Sequence, residues 1–212
     1  MLLLLKFLNP VEGSGDLIID GVPVKNIRAS VLRSRIIALP QTPFLLPEGS
    51  TVRSNLVIND RNREFPHDTS VVDEECEYSL SSVGLWPLVE EKGGLDSELS
   101  QEALSKGQKQ LFCLARAILR ARLRRREYDT LAEQNQEQST LPLGGVLLLD
   151  EFTASVDLDT DKIMQTIIRR EFENYTVICV THRLQTIMDY DTVVVMDSGR
   201  IVKVGHPSDV VI

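Results

Sequence analysis

Along the chain, hydrophobic and polar positions repeat in three different ways. Val146-Leu147-Leu148-Leu149 is an unbroken branched-aliphatic run ending on Asp150-Glu151, the pattern of a strand covered on both faces in a parallel sheet. Tyr175-Thr176-Val177-Ile178-Cys179-Val180 predicts a second buried strand, and Arg35-Ile36-Ile37-Ala38-Leu39 a third. Gly15 to Asp20 predicts a short strand entering an Asp20-Gly21 turn, and 191–196 with 200–204 predict two strands joined at Asp197-Ser198-Gly199. Helical spacing governs the rest. Leu111, Leu114, Ala115, Ile118 and Leu119 recur at three and four residues, as do Ile163, Met164, Ile167 and Ile168 within Thr160 to Phe172. Shorter helices are expected at 26–34, 51–56 and from Leu85, with a solvent-facing acidic one at 70–83 and a last one starting at His206. Residues 61–68 read as a polar connection, and Trp86 as a packing residue. Strands alternating with helices predict an α/β doubly wound core.

Two stretches depart from these patterns. Met1-Leu2-Leu3-Leu4-Leu5-Lys6-Phe7-Leu8 has no preceding basic segment and no following small-residue cleavage site, so it reads as a core helix stopped by Asn9-Pro10 rather than a signal peptide. Residues 122–145 open with Arg122, Arg124, Arg125 and Arg126, then turn acidic and polar. They read as a mobile polar insertion with at most a frayed helical extension at its start. No run of eighteen apolar residues occurs to span a membrane. A formal charge of −8 argues against a nucleic-acid partner. Cys76, Cys113 and Cys179 have no metal-like spacing, and the last two sit in apolar runs as small core residues of a reducing compartment.

Candidate chemistry collects where strands end. Asp150 suits Mg²⁺, a hard cation that takes oxygen ligands, and Glu151 can orient or deprotonate a water. Gln41 lies in the loop Pro40-Gln41-Thr42-Pro43 after one strand, and His182 follows another. In Leu104-Ser105-Lys106-Gly107-Gln108, Ser105 can cap the following helix while Gly107 permits close backbone approach to an anion. Each feature alone has an ordinary structural reading.

In this order they resemble the nucleotide-binding domain of ATP-binding-cassette (ABC) transporters. Gln41 resembles that family's Q-loop glutamine. Leu104 to Gln108 resembles its signature, usually Leu-Ser-Gly-Gly-Gln, with Lys106 departing from it. Val146 to Asp150 resembles the Walker B strand, Glu151 the catalytic glutamate, Ala154 to Asp157 the D-loop and His182 the switch histidine. Residues 104–119 and 150–157 look most like the second cassette of the multidrug-resistance-protein subfamily, and the insertion before Walker B like its fungal members. The resemblance implies a P-loop NTPase-type α/β fold with a mostly parallel sheet. Residues 1–212 would form a partial nucleotide-binding domain, with a helical subdomain within about 50–121. It further implies ATP and Mg²⁺ as ligands, Asp150 and Gln41 toward the metal, Glu151 toward water and His182 toward the γ-phosphate. Leu104, Ser105, Lys106, Gly107, Gln108 and Asp157 would serve ATP at the interface with a second, head-to-tail cassette. Transmembrane domains would be further partners, at the cytoplasmic face of a membrane.

No Gly-x-x-x-x-Gly-Lys-[Ser/Thr] loop occurs in the 212 residues. Met1 to Leu8 resembles the leucine-rich helix that follows that loop in the family, so the chain is expected to start just after it. In the family the loop's strand lies between those expected at 175–180 and 191–196. Without strand and loop, the chain is expected to leave sheet edges unpaired and to hydrolyse negligible ATP alone. Two rival readings stand beside the transporter cassette. One is a non-hydrolysing regulatory module that completes a partner's ATP site; the other is a chromosome-maintenance ATPase, whose long heptad coiled coils are missing here.

Overall fold

The computed structural model describes residues 3–11, 15–58, 69–135 and 144–210. The expected connection at 61–68 lies outside these residues. The chain forms β1 (Ile18–Ile19), β2 (Val22–Pro23), α1 (Ala29–Arg35), β3 (Ile36–Leu39), α2 (Val52–Leu56), α3 (Thr69–Ser82), α4 (Trp86–Glu91) and α5 (Lys106–Asn135). It continues through β4 (Val146–Asp150), α6 (Leu158–Glu171), β5 (Thr176–Val180), α7 (Leu184–Ile187), β6 (Val193–Asp197), β7 (Arg200–Gly205) and α8 (Pro207–Val210).

Strands β3, β4 and β5 form a parallel sheet with β4 in the middle. Side-chain alternation divides its two faces. Ile37, Leu39, Leu147 and Leu149 join the main core with α3, α5 and α6, while Ile36 and Leu148 face a smaller cluster with Val24 and Leu32. Both turns expected to be tight are tight, with left-handed backbone at Asp20 and Gly21 and again at Ser198 and Gly199. The second turn joins β6 and β7 into a separate antiparallel pair. Among the described residues, no strand occupies the edge of β5 away from β4.

Four expectations are corrected. First, β5 is not buried: Ile178 and Val180 are exposed, because the cluster that covers Ile36 and Leu148 on that face of the sheet does not reach them. Second, residues 3–8 form turns and bends rather than a helix. Lys6 adopts φ +55°, and Arg33 Nε donates to the Leu5 carbonyl, so that acceptor serves α1 instead of a helical ladder.

Third, α3 buries Val72, Glu75, Cys76, Ser79 and Leu80 instead of lying on the surface. These five share one helical face at spacings of three and four, and that face packs on α5. Fourth, α5 continues unbroken to Asn135, deep into the stretch expected to fray. Buried Glu75 on α3 accepts from Nε of both Arg122 and Arg126, and Arg122 stacks 3.7 Å above the Tyr78 ring. Arg122 and Arg126 therefore face α3, Arg124 Nη2 donates to the Gly144 carbonyl, and the helix extends beyond its apolar part.

Candidate active site

Parallel register places the candidate residues together. Leu39 pairs with Leu149 and Asp150 with Val180, so the loops carrying Gln41, Glu151 and His182 leave the sheet at the same end. Gln41 Nε2 donates to Glu151 Oε2 at 3.0 Å. His182 Nδ1 lies 3.8 Å from Glu151 Oε1, within ion-pair reach when the imidazole is protonated. Two segments distant in sequence thus converge on the carboxylate of a third. Glu151 itself adopts φ +45°, a left-handed conformation uncommon for a residue with a Cβ, and its N–H donates to the Val180 carbonyl. That conformation turns the chain sharply out of β4.

Asp150 is exposed beside Glu151, and its side chain makes no hydrogen bond or ion pair with another described residue. Its carboxylate and the Gln41 amide oxygen are oxygen donors of the kind Mg²⁺ takes when waters and phosphates complete its shell. The residues present fit that ion. The His182 side chain is 66% exposed, so the site lies open on the surface.

The second group of predicted residues sits around the start of α5. Ser105 Oγ accepts from the Gln108 N–H at 3.2 Å while Gln108 Oε1 accepts from the Ser105 N–H at 2.9 Å, a reciprocal capping box. Leu104 is buried and anchors the turn, whereas Ser105 and Lys106 are exposed. A Cβ added at Gly107 would meet Thr160 and Val156 only at ordinary contact distance. Asp157 is exposed and caps α6, accepting from the Asp159 and Thr160 N–H groups and the Thr160 hydroxyl. Those bonds, the Thr160 N–H foremost, hold its carboxyl below the usual aspartate range. No described hydrogen bond joins these residues to Glu151 directly, so the structure presents two neighbouring patches rather than one closed site.

A family profile described as "ABC transporter" matches residues 1–123. The chain belongs to the ABC transporter family. The "ABC-type transporter braE" of Annulohypoxylon truncatum is 45% identical over 210 residues, covering 99% of this chain and 13% of that protein. The "ABC transporter FGM5" of Gibberella zeae is 42% identical over 211 residues with the same coverage of each. The "ABC multidrug transporter B" of Aspergillus fumigatus is 42% identical over 194 residues, covering 92% of this chain and 11% of that one. The chain therefore spans about an eighth of the length of these relatives. A solved bacterial Atm1-family ABC exporter with ATP bound superposes at TM-score 0.72 and 24% identity, covering 98% of this chain and 31% of its own. At that identity the likeness bears on the fold alone, which is the α/β ABC fold with a parallel sheet.

Two residues that sequence reading did not single out bond to the loops of the candidate site. Gln110 is fully buried on α5, and its Nε2 donates 2.8 Å to the Gln41 carbonyl, tying the helix to the Gln41 loop. A glutamine amid the apolar positions of a buried helix was the available signal. Arg183, next to His182, reaches back to the carbonyls of Ala154 and Val156. Arginine after a strand is too common a pattern to have flagged it.

Proposed function

We propose that this chain is the ATP-hydrolysing cassette of an ABC-type exporter, similar to the second cassette of the multidrug-resistance-protein subfamily. In it, ATP hydrolysis would be coupled to substrate export at the cytoplasmic face of a membrane. The convergence of Gln41 and His182 on Glu151, beside unpartnered Asp150, carries this reading. Phosphoryl transfer requires positioning and charge neutralisation more than covalent chemistry. Glu151 would accept a proton-bearing hydrogen bond from the attacking water, and the Gln41 N–H₂ group would hold that carboxylate in its rotamer. That bond leaves Gln41 Oε1 available to the metal's water shell, which Asp150 would also hold. Mg²⁺, when bound, would offset charge on the β- and γ-phosphates. His182 would donate to the γ-phosphate from its exposed position.

Ser105, Gly107 and Gln108 would serve ATP held by a second cassette, with Leu104 anchoring the turn, Lys106 at its exposed rim and Asp157 alongside. The backbone around Gly107 is free of close contacts within this chain, so any demand for glycine comes from outside it. The 212 residues contain no phosphate-cradling Gly-Lys-Ser loop, and we propose that the chain alone is inactive. A module that completes a partner's site without hydrolysing ATP would use the same Ser105–Gln108 patch. Glu151→Gln in the transporter carrying this cassette separates the two. Under the ATPase reading turnover falls about 100-fold or more with nucleotide still bound. Unchanged turnover in that variant would sink it.

A further inference from the structure

Arg183 is built into the fold more completely than any of the residues that touch Glu151. Its side chain is only 19% exposed. Nη1 donates to Asp161 Oδ2 at 3.2 Å; Nη2 donates to the Ala154 carbonyl at 3.1 Å and the Val156 carbonyl at 2.9 Å. Asp161 is buried on the first turns of α6 and is held in turn by Gln165 Nε2 and the Thr186 hydroxyl, both at 3.3 Å. The Arg183 N–H donates to Thr181 Oγ1, which fixes the backbone on either side of His182. Within the segment it grips, the Ala154 N–H donates to the Glu151 carbonyl at 2.9 Å, and Asp157 begins α6. One planar guanidinium thus bonds the loop after β4, the loop after β5 and the start of α6.

We propose that Arg183 is a positioning residue that locks the Glu151–Asp157 loop and the His182 loop into one rigid frame. The frame sets the separation between the carboxylate that orients water and the imidazole that meets phosphate. This role rests on the ATPase reading given above. The geometry requires a fork: two carbonyls and a carboxylate lie in different directions, and a guanidinium offers fixed divergent N–H groups to them. A lysine offers one compact charge and cannot span all three. Asp161 is the other end of the clamp, because its second oxygen and its neighbours keep it from following a displaced arginine.

Two measurements test the frame. In the 212-residue chain, hydrogen exchange read by mass spectrometry should accelerate in peptides covering 151–157 and 181–186 in Arg183→Lys. Exchange in β3 and the apolar part of α5 should stay as in the parent chain. In the transporter carrying this cassette, Arg183→Lys should lower kcat about 10- to 100-fold, the loss expected when a reacting group moves by about 1 Å. The KM for ATP should stay within about twofold, since neither loop supplies the bulk of nucleotide binding. Asp161→Asn should produce the same split, and the double variant should be no worse than Arg183→Lys alone, because both cut one clamp.

Unchanged exchange in 151–157, or a kcat equal to the parent's, overturns the proposal. So does additive loss in the double variant, or a fall in exchange protection spread evenly over β3 and α5. Were the parent transporter to show no ATP turnover, the ATPase reading would fail. The exchange result would then decide the clamp by itself.

Discussion

Asp157 performs a task at the scale of one residue: a carboxylate just before a helix accepts from the helix's free N–H groups. The structure gives it two N–H donors and a hydroxyl, and these lower its pKa from the ordinary 3.8. A depressed carboxyl contributes stability that is fully present above the unfolded value. That contribution disappears as pH falls through the lower folded value. Asparagine caps comparably without the charge. The melting temperature of the parent chain should therefore exceed that of Asp157→Asn near neutral pH, and the difference should shrink on acidification below about pH 4. A difference that stays constant from pH 7 to pH 3 would contradict this. Glu151 is less legible. The residue type and its place after a hydrophobic strand nominate it, but neither its left-handed backbone nor its bond to Gln41, 110 positions away, follows from local pattern.

Elements show the same division between pattern and packing. The central strand β4 was readable because Val146 to Leu149 is apolar without interruption, and Leu147, Leu148 and Leu149 are indeed sealed from solvent. The equally apolar β5 was misread as buried, since burial depends on neighbours that a run of residues does not specify. The tight entry to β4 could not be foreseen either. A Cβ at Gly145 would stand 2.5 Å from the Arg35 carbonyl oxygen, a backbone atom unable to step aside without disturbing β3. Gly145→Ala should cost about 1–3 kcal/mol, as overpacking does, measured by urea denaturation. Gly107→Ala provides the contrast. Its Cβ would find contacts of 3.9 and 4.0 Å, and alanine favours a helix, so stability should hold or rise by up to about 1 kcal/mol. Equal destabilisation by the two substitutions would refute the distinction drawn between a glycine required by the fold and one free of it.

The molecule as a whole brings together two patches with different destinations. Gln41, Asp150, Glu151 and His182 lie at one end of the sheet, while Ser105 to Gln108 cap α5 with no described hydrogen bond to them. A site that open would need another surface to supply water-excluding walls, as the proposed reading of a cassette working against a partner requires. The isolated 212-residue chain should accordingly bind Mg-ATP weakly and turn over a negligible amount. Micromolar affinity in a fluorescent-nucleotide titration would contradict that expectation. Short-range chemistry in the sequence determined the order of most strands and helices, the turns at Asp20-Gly21 and Ser198-Gly199, the cap at Ser105, and the identity of the candidate acids. All of these depend on residues within a few positions of one another. Tertiary structure alone decided which loops share the end of the sheet, that the basic start of 122–145 is a helix held by Glu75, and that Arg183 spans three segments. Each of those depends on contacts between residues 22 to 110 positions apart, formed when parallel pairing brings strand ends together or when α3 packs on α5.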